Sequence, residues 1–73
     1  MARDTFQGFV RKLAAAIRAR RRAAGMTLED LAHEANVTVR TLTAIETAKG
    51  NPTVRTLFQI AKALHLNVRD LTE

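Results

Sequence analysis

The chain of 73 residues contains no cysteine, no tryptophan, no tyrosine and no serine, and only one proline. Without cysteine there can be neither a disulfide nor a thiolate zinc site, and this usage agrees with a reducing, cytoplasmic setting. Without serine or cysteine, and with no convincing carboxylate pair or glycine-rich phosphate loop, the usual catalytic designs have no residues to stand on. The expectation is therefore a non-enzyme. Aromatic residues are 4% of the chain, against 47% hydrophobic residues overall, many of them alanine. A core built from so little bulk is thin, and a second copy would help to stabilise it. No apolar run approaches the roughly 18 residues of a membrane span, and the N-terminus lacks the uninterrupted apolar stretch of a signal peptide. Neither a membrane partner nor a cofactor is expected.

What is present is uneven charge. The net charge is +5, but residues 1–25 hold seven Lys/Arg against one Asp, a net of +6, and residues 26–73 hold five against six, a net of −1. Such asymmetry suits a polyanion partner; it also suits an arginine-rich, solvated helix face. Arg18, Arg20, Arg21 and Arg22 stand near the end of the first helical segment, where cations complement the helix dipole.

Periodicity gives an all-α chain. Asp4-Thr-Phe-Gln7 has capping-box spacing, and Phe6, Phe9/Val10, Leu13 and Ile17 then recur every three or four residues. The first helix should run to about Ala24 and stop at Gly25. Gly8 lies within it and costs about 1 kcal/mol relative to alanine. Thr27 caps a second helix with Leu31, Ala32 and Ala35 inward, ending at Asn36. Thr38 caps a third, through about Glu46, with Leu42 and Ile45 inward. After the loop 48–52, Thr53 caps a fourth helix whose apolar stripe is Val54, Leu57, Phe58, Ile60, Ala61 and Leu64. A short helical turn from Val68 to Leu71 closes the chain. The organisation is a single domain over residues 1–73, with 1–12 extending the first helix.

Two short helices joined by a tight turn are the usual device for placing one helix in a DNA major groove. On a helical wheel Arg40, Thr43, Ala44 and Thr47 share an outward sector, with Val39 beside it and Leu42 and Ile45 opposite. Arg40 has the geometry to donate two bonds to guanine O6 and N7, while Val39, Ala44 and the Thr43 methyl suit a thymine methyl. An ordinary surface helix with arbitrary polar residues has the same periodicity. His33-Glu34 begins an HExxH zinc motif, but position 37 is Val, and His65 stands alone, so no metal site is expected.

The segment LEDLAHEANVTVRTLTAIE, followed by AKGNPTVRTLFQIAKAL, resembles the Cro/CI-type (XRE-like) helix-turn-helix family over roughly residues 13–71. The resemblance rests on Arg21 before Gly25, Leu31-Ala32, Val37 in the turn, Leu42, Ile45-Glu46, Asn51-Pro52 and Ala61-Lys-Ala-Leu64, in that order. It implies a compact five-helix, lambda-repressor-like bundle that binds double-stranded DNA. Most such proteins regulate transcription by binding operator DNA as dimers, and a pseudo-palindromic operator bound by a homodimer is expected here, acting as a repressor or an activator. The recognition helix would be about 38–46. Base reading falls on Val39, Arg40, Thr43 and Ala44. Backbone contacts fall on Thr38, Thr47 and Lys49, and on amides at the start of the second helix. Arg21 and Glu46 would form a structural ion pair. Phe58 is the candidate for the dimer interface, in a possible C-terminal patch with Leu66, Val68 and Leu71. The alternative use of the same fold is an antitoxin or other protein-interaction module with a protein partner.

Two positions depart from the family pattern. Leu28 stands where many members place a phosphate-binding Gln. Ala48 stands where a Gly commonly follows the Glu-x pair. Either Ala48 avoids the left-handed region, or the turn shifts to Gly50.

Overall fold

The computed structural model describes residues 5–72. Five helices follow in chain order: α1 (Phe6–Ala23), α2 (Leu28–Ala35), α3 (Val39–Glu46), α4 (Val54–Ala63) and α5 (Val68–Thr72). Each of the first four is opened by a threonine (Thr5, Thr27, Thr38 or Thr53) whose hydroxyl accepts the amide hydrogen three residues on. Such a cap contributes about 1 kcal/mol over alanine. The expected cap at Asp4 is corrected to Thr5, whose hydroxyl takes the Gly8 amide at 2.9 Å; Asp4 itself lies outside the described residues. At α2 the box is completed by Asp30, whose carboxylate accepts the Thr27 amide. Those bonds from the Thr27 backbone and side chain hold the Asp30 carboxyl below its ordinary value. The support this gives α2 is present above the ordinary Asp value of about 3.9 and fades as pH falls through the lower folded value.

The helix ends are equally regular. At the ends of α1 to α4 a left-handed residue donates back three positions and its successor donates back five. The residues are Gly25 (φ 71°), Asn36 (57°), Ala48 (60°) and His65 (60°). This is the Schellman closure, which satisfies orphan carbonyls of the last turn. Glycine takes that conformation without penalty; alanine does not. The expectation for the loop after α3 is therefore overturned on both counts. Ala48 itself is left-handed, and Gly50 has no positive φ. Ala48→Gly is expected to stabilise the domain by about 1 kcal/mol, raising Tm by roughly 4–8 °C for a domain of this size. Thermal unfolding followed by circular dichroism measures this. An unchanged or lower Tm would show that the loop holds Ala48 without strain.

Leu13 and Ile17 of α1, Leu31 of α2, Leu42 of α3 and Ile60 of α4 are fully buried, and Leu71 of α5 joins them. One side chain or two from each helix thus meet at a single centre. α2 packs on α4 and on α3, while α1 crosses α3 and α5. The α2–α3 pair is clamped between the long first helix and the fourth. The apolar stripes drawn from periodicity are wider than the surfaces that cover them. Phe6, Phe9, Val54 and Phe58 belong to those stripes but remain exposed. Among the described residues no helix is long and apolar enough to cross a membrane.

Candidate nucleic-acid interface

A reading helix must hold its orientation while its outer face stays free. The inner side of α3 is fixed first by apolar burial of Leu42 and Ile45, and then by Glu46, which is only 4% exposed. The Arg21 guanidinium donates from Nε to Glu46 Oε2 at 2.8 Å and from Nη2 to Oε1 at 3.0 Å. Its third arm, Nη1, donates to the Met26 carbonyl at 2.9 Å. One planar cation thereby ties α1, the α1–α2 turn and α3 together, using the fork geometry that lysine lacks. Hydrogen bonding to Glu46 raises the Arg21 value above its ordinary one; burial opposes this and the carboxylate charge adds to it. The cation persists at any pH near neutrality.

Arg18, expected only to complement the α1 dipole, has a more specific place. Its Nη1 donates to the Glu46 main-chain carbonyl at 2.7 Å, closing the C-terminal end of α3. Arg18 and Arg21 lie three residues apart on one helix face. That spacing is visible in the sequence, but their common target 25 and 28 residues away is not.

The outer face of α3 carries Val39, Arg40 and Thr43, all exposed; Ala44 is half-buried and Thr47 exposed. Arg40 has no hydrogen bond or ion pair among the described residues, so its guanidinium is available to a ligand. Gly50 approaches Ala44: a Cβ on Gly50 would lie 3.6 Å from the Ala44 methyl. The loop therefore shades Ala44, and Val39, Arg40 and Thr43 form the open part of the face.

The hydroxyls assigned to backbone contact differ among themselves. Thr47 Oγ1 donates to the carbonyls of Thr43 and Ala44, so its proton is engaged within its own helix and must leave that bond to reach a phosphate. Thr38 caps α3 through the Thr41 amide, and its hydroxyl shares one hydrogen bond with that of Thr41 at 2.9 Å. Two hydroxyls sharing one bond leave one proton spare at the N-terminus of α3. Thr41 thus joins Thr38 as a candidate contact that the wheel did not single out. Lys49 is exposed just past α3. Leu28, at the first position of α2, packs its side chain against the core. A residue with no polar group has nothing to offer a phosphate there, and only the first-turn amides remain as donors.

Phe58 is 57% exposed on α4, and Val54, one turn before it, is 81% exposed. Leu71 is buried and Leu66 and Val68 pack against the core, so of the C-terminal patch only Phe58 is open, with Val54 as its neighbour. Among the described residues no group of His, Asp and Glu could hold a metal ion.

Residues 17–71 match the family described as Helix-turn-helix, HTH_3. No curated protein matches the chain. Among solved structures, the restriction-modification controller protein C.AhdI from Aeromonas hydrophila is similar at 24% identity and a TM-score of 0.83, covering 85% of this chain and 94% of that one. The wild-type restriction-modification controller protein C.Esp1396I is 31% identical with a TM-score of 0.78, covering 88% of this chain and 80% of that one. An HTH_3 family transcriptional regulator from Vibrio cholerae is 27% identical with a TM-score of 0.87; 92% of this chain overlies 38% of that longer one.

Proposed function

The chain belongs to the helix-turn-helix family HTH_3, a family of DNA-binding regulators rather than enzymes, and from that premise we propose that it binds a short pseudo-palindromic operator as a homodimer and regulates transcription there. Each protomer lays α3 in the major groove. Arg40 reads a guanine, Val39 and Thr43 contact the neighbouring bases, and Ala44 lies at the margin. Thr38, Lys49 and, on release of its internal bond, Thr47 meet the backbone. The observation that carries this reading is the contrast across α3. Its inner side is fixed by the buried Arg21–Glu46 pair, while its outer side presents one arginine, without a partner among the described residues, amid small side chains, as entry into a groove about 12 Å wide requires.

Two-fold symmetry of the protein implies two-fold symmetry in the site. Val54 and Phe58 give α4 an apolar surface for the second copy, and a second copy supports a core of this size. The restriction-modification controllers C.AhdI and C.Esp1396I, which the chain covers over 94% and 80% of their lengths, are regulators of the kind proposed here. Action is steric, by occlusion or recruitment of polymerase, giving repression or activation according to where the operator lies.

Selection of a random duplex library on the purified protein at about 0.15 M salt tests the reading. Enrichment of an inverted repeat with half-site centres about 10 bp apart, or a multiple of that, is the expected result. A folded protein that enriches nothing would instead favour a protein-interaction role. The interface has its own check. Phe58→Asp is expected to move the protein toward monomer in sedimentation, because a buried, unpaired charge is costly at an apolar contact. An intact dimer would place the interface elsewhere.

A further inference from the structure

The matched family segment begins at residue 17, yet α1 begins at Phe6 and its first half is not bare. Val10 and Ala14 are buried there outside the main core cluster. They lie against the loop that follows α3: Val10 shares a cleft with Ala48, Lys49, Gly50 and Asn51. Beside it runs a second groove between α1 and the end of α3, lined by Gln7, Arg11, Ala14, Arg18, Glu46, Thr47, Ala48 and Lys49. Three of these eight residues are cations, and the one carboxylate among them, Glu46, is buried and bound twice by Arg21. Arg11 and Lys49 are exposed and have no ion-pair partner among the described residues.

We infer that this groove is a second DNA contact, a seat for the sugar-phosphate backbone beside the major groove that α3 enters. The inference rests on the DNA-binding reading above and extends it to a part of α1 that the family match leaves out. Continuity is the first argument. Thr47 and Lys49 belong both to the end of the α3 face and to the wall of the groove, so a duplex laid along α3 carries its flanking backbone over Lys49 toward Arg11. Charge is the second. A concave surface lined by three cations, whose one carboxylate among the described residues is already bound by Arg21, concentrates positive potential, and a polyphosphate strand is the ligand that matches it. Gln7 adds a neutral donor, and Arg18 is held in place by its bond to the Glu46 carbonyl. The occupant is the backbone of the bound duplex and not a free anion, because the groove is open along its length and continuous with the reading face.

Phosphate contacts are sequence-independent and release counterions, so they are counted by the salt dependence of binding. The experiment titrates a labelled random-sequence duplex with wild type, Arg11→Gln, Arg11→Lys and Arg69→Gln over a range of salt. Arg69 is an exposed cation on α5 and does not line the groove. Arg11→Gln is expected to lower the slope of log K against log salt by about 0.9 for each bound protomer. Arg11→Lys should keep the wild-type slope, and Arg69→Gln should leave it unchanged. Equal slopes for Arg11→Gln and wild type would overturn the inference while leaving the reading role of α3 in place. A wild type that binds no duplex at any salt would overturn both. Arg11 is exposed, so its variants should unfold with the wild-type midpoint, which excludes misfolding as the cause of a changed slope.

Discussion

Replacing Glu46 by alanine should cost about 3–5 kcal/mol, because it removes one partner of a buried ion pair and leaves the other uncompensated. Arg21 and Glu46 side chains are 11% and 5% exposed. In the variant, Nε and Nη2 of Arg21 lose their acceptors, and only the bond to the Met26 carbonyl persists. Native domains hold roughly 0.05–0.15 kcal/mol per residue, so a chain this short has little in reserve. At roughly 4–8 °C per kcal/mol the expected fall in Tm is more than 12 °C, and a fully unfolded variant at 37 °C would agree with the upper end. Thermal and urea unfolding give the number. A loss under 1 kcal/mol would mean that water reaches the pair and that α3 is oriented by apolar packing alone. The double variant Arg21→Met, Glu46→Leu separates charge from packing. Apolar replacement of both partners is often neutral or better, so much of the lost stability should return. It follows that a DNA-binding defect in an Arg21 or Glu46 variant reports an unfolded protein or a tilted α3, and not a missing contact to DNA.

The parts of this architecture that are legible in the sequence are those with local causes. Thr27, Thr38 and Thr53 each precede an apolar run, and the hydroxyl that caps the helix is bound within three residues of its own position. At the start of the first helix Asp4 and Thr5 are adjacent capping residues, and the pattern alone favours the acid with Gln three residues on. Gly25 and Asn36 announce left-handed ends by their identity. Ala48 and His65 adopt the same conformation with no such signal, since the carbonyls behind them and the packing around them hold the turn against its intrinsic cost. The Arg21–Glu46 pair is implied by the family resemblance, and no periodicity reveals it. The Arg18 bond to the Glu46 carbonyl joins residues 28 positions apart, and only the fold brings them together. Periodicity also assigned Val54 and Phe58 to a buried stripe. It reports which side chains share a helix face, but not how far the neighbouring helices extend over that face.

Arg40→Ala carries the largest effect expected on recognition. Arg40 sits in the first turn of α3, two residues past the Thr38 cap, exposed and without a partner among the described residues. Removing it therefore disturbs nothing in the fold, and the unfolding midpoint should not change. A bidentate arginine–guanine contact contributes about 1–3 kcal/mol of discrimination, so each half-site should bind roughly 5- to 150-fold more weakly. Repeating the library selection with the variant should show relaxed preference at one position in each half-site, with the others retained. Arg40→Lys should recover affinity but little of the preference, since an ammonium is a point charge without the planar fork. Affinity and preference thus separate two roles that a single binding constant would merge. If Arg40→Ala weakens all sequences alike and lowers the salt slope by about 0.9 per protomer, Arg40 is a phosphate contact. Base reading would then fall to Val39 and Thr43, whose reach is shorter, and α3 would have to lie deeper in the groove than an exposed arginine at its second position requires.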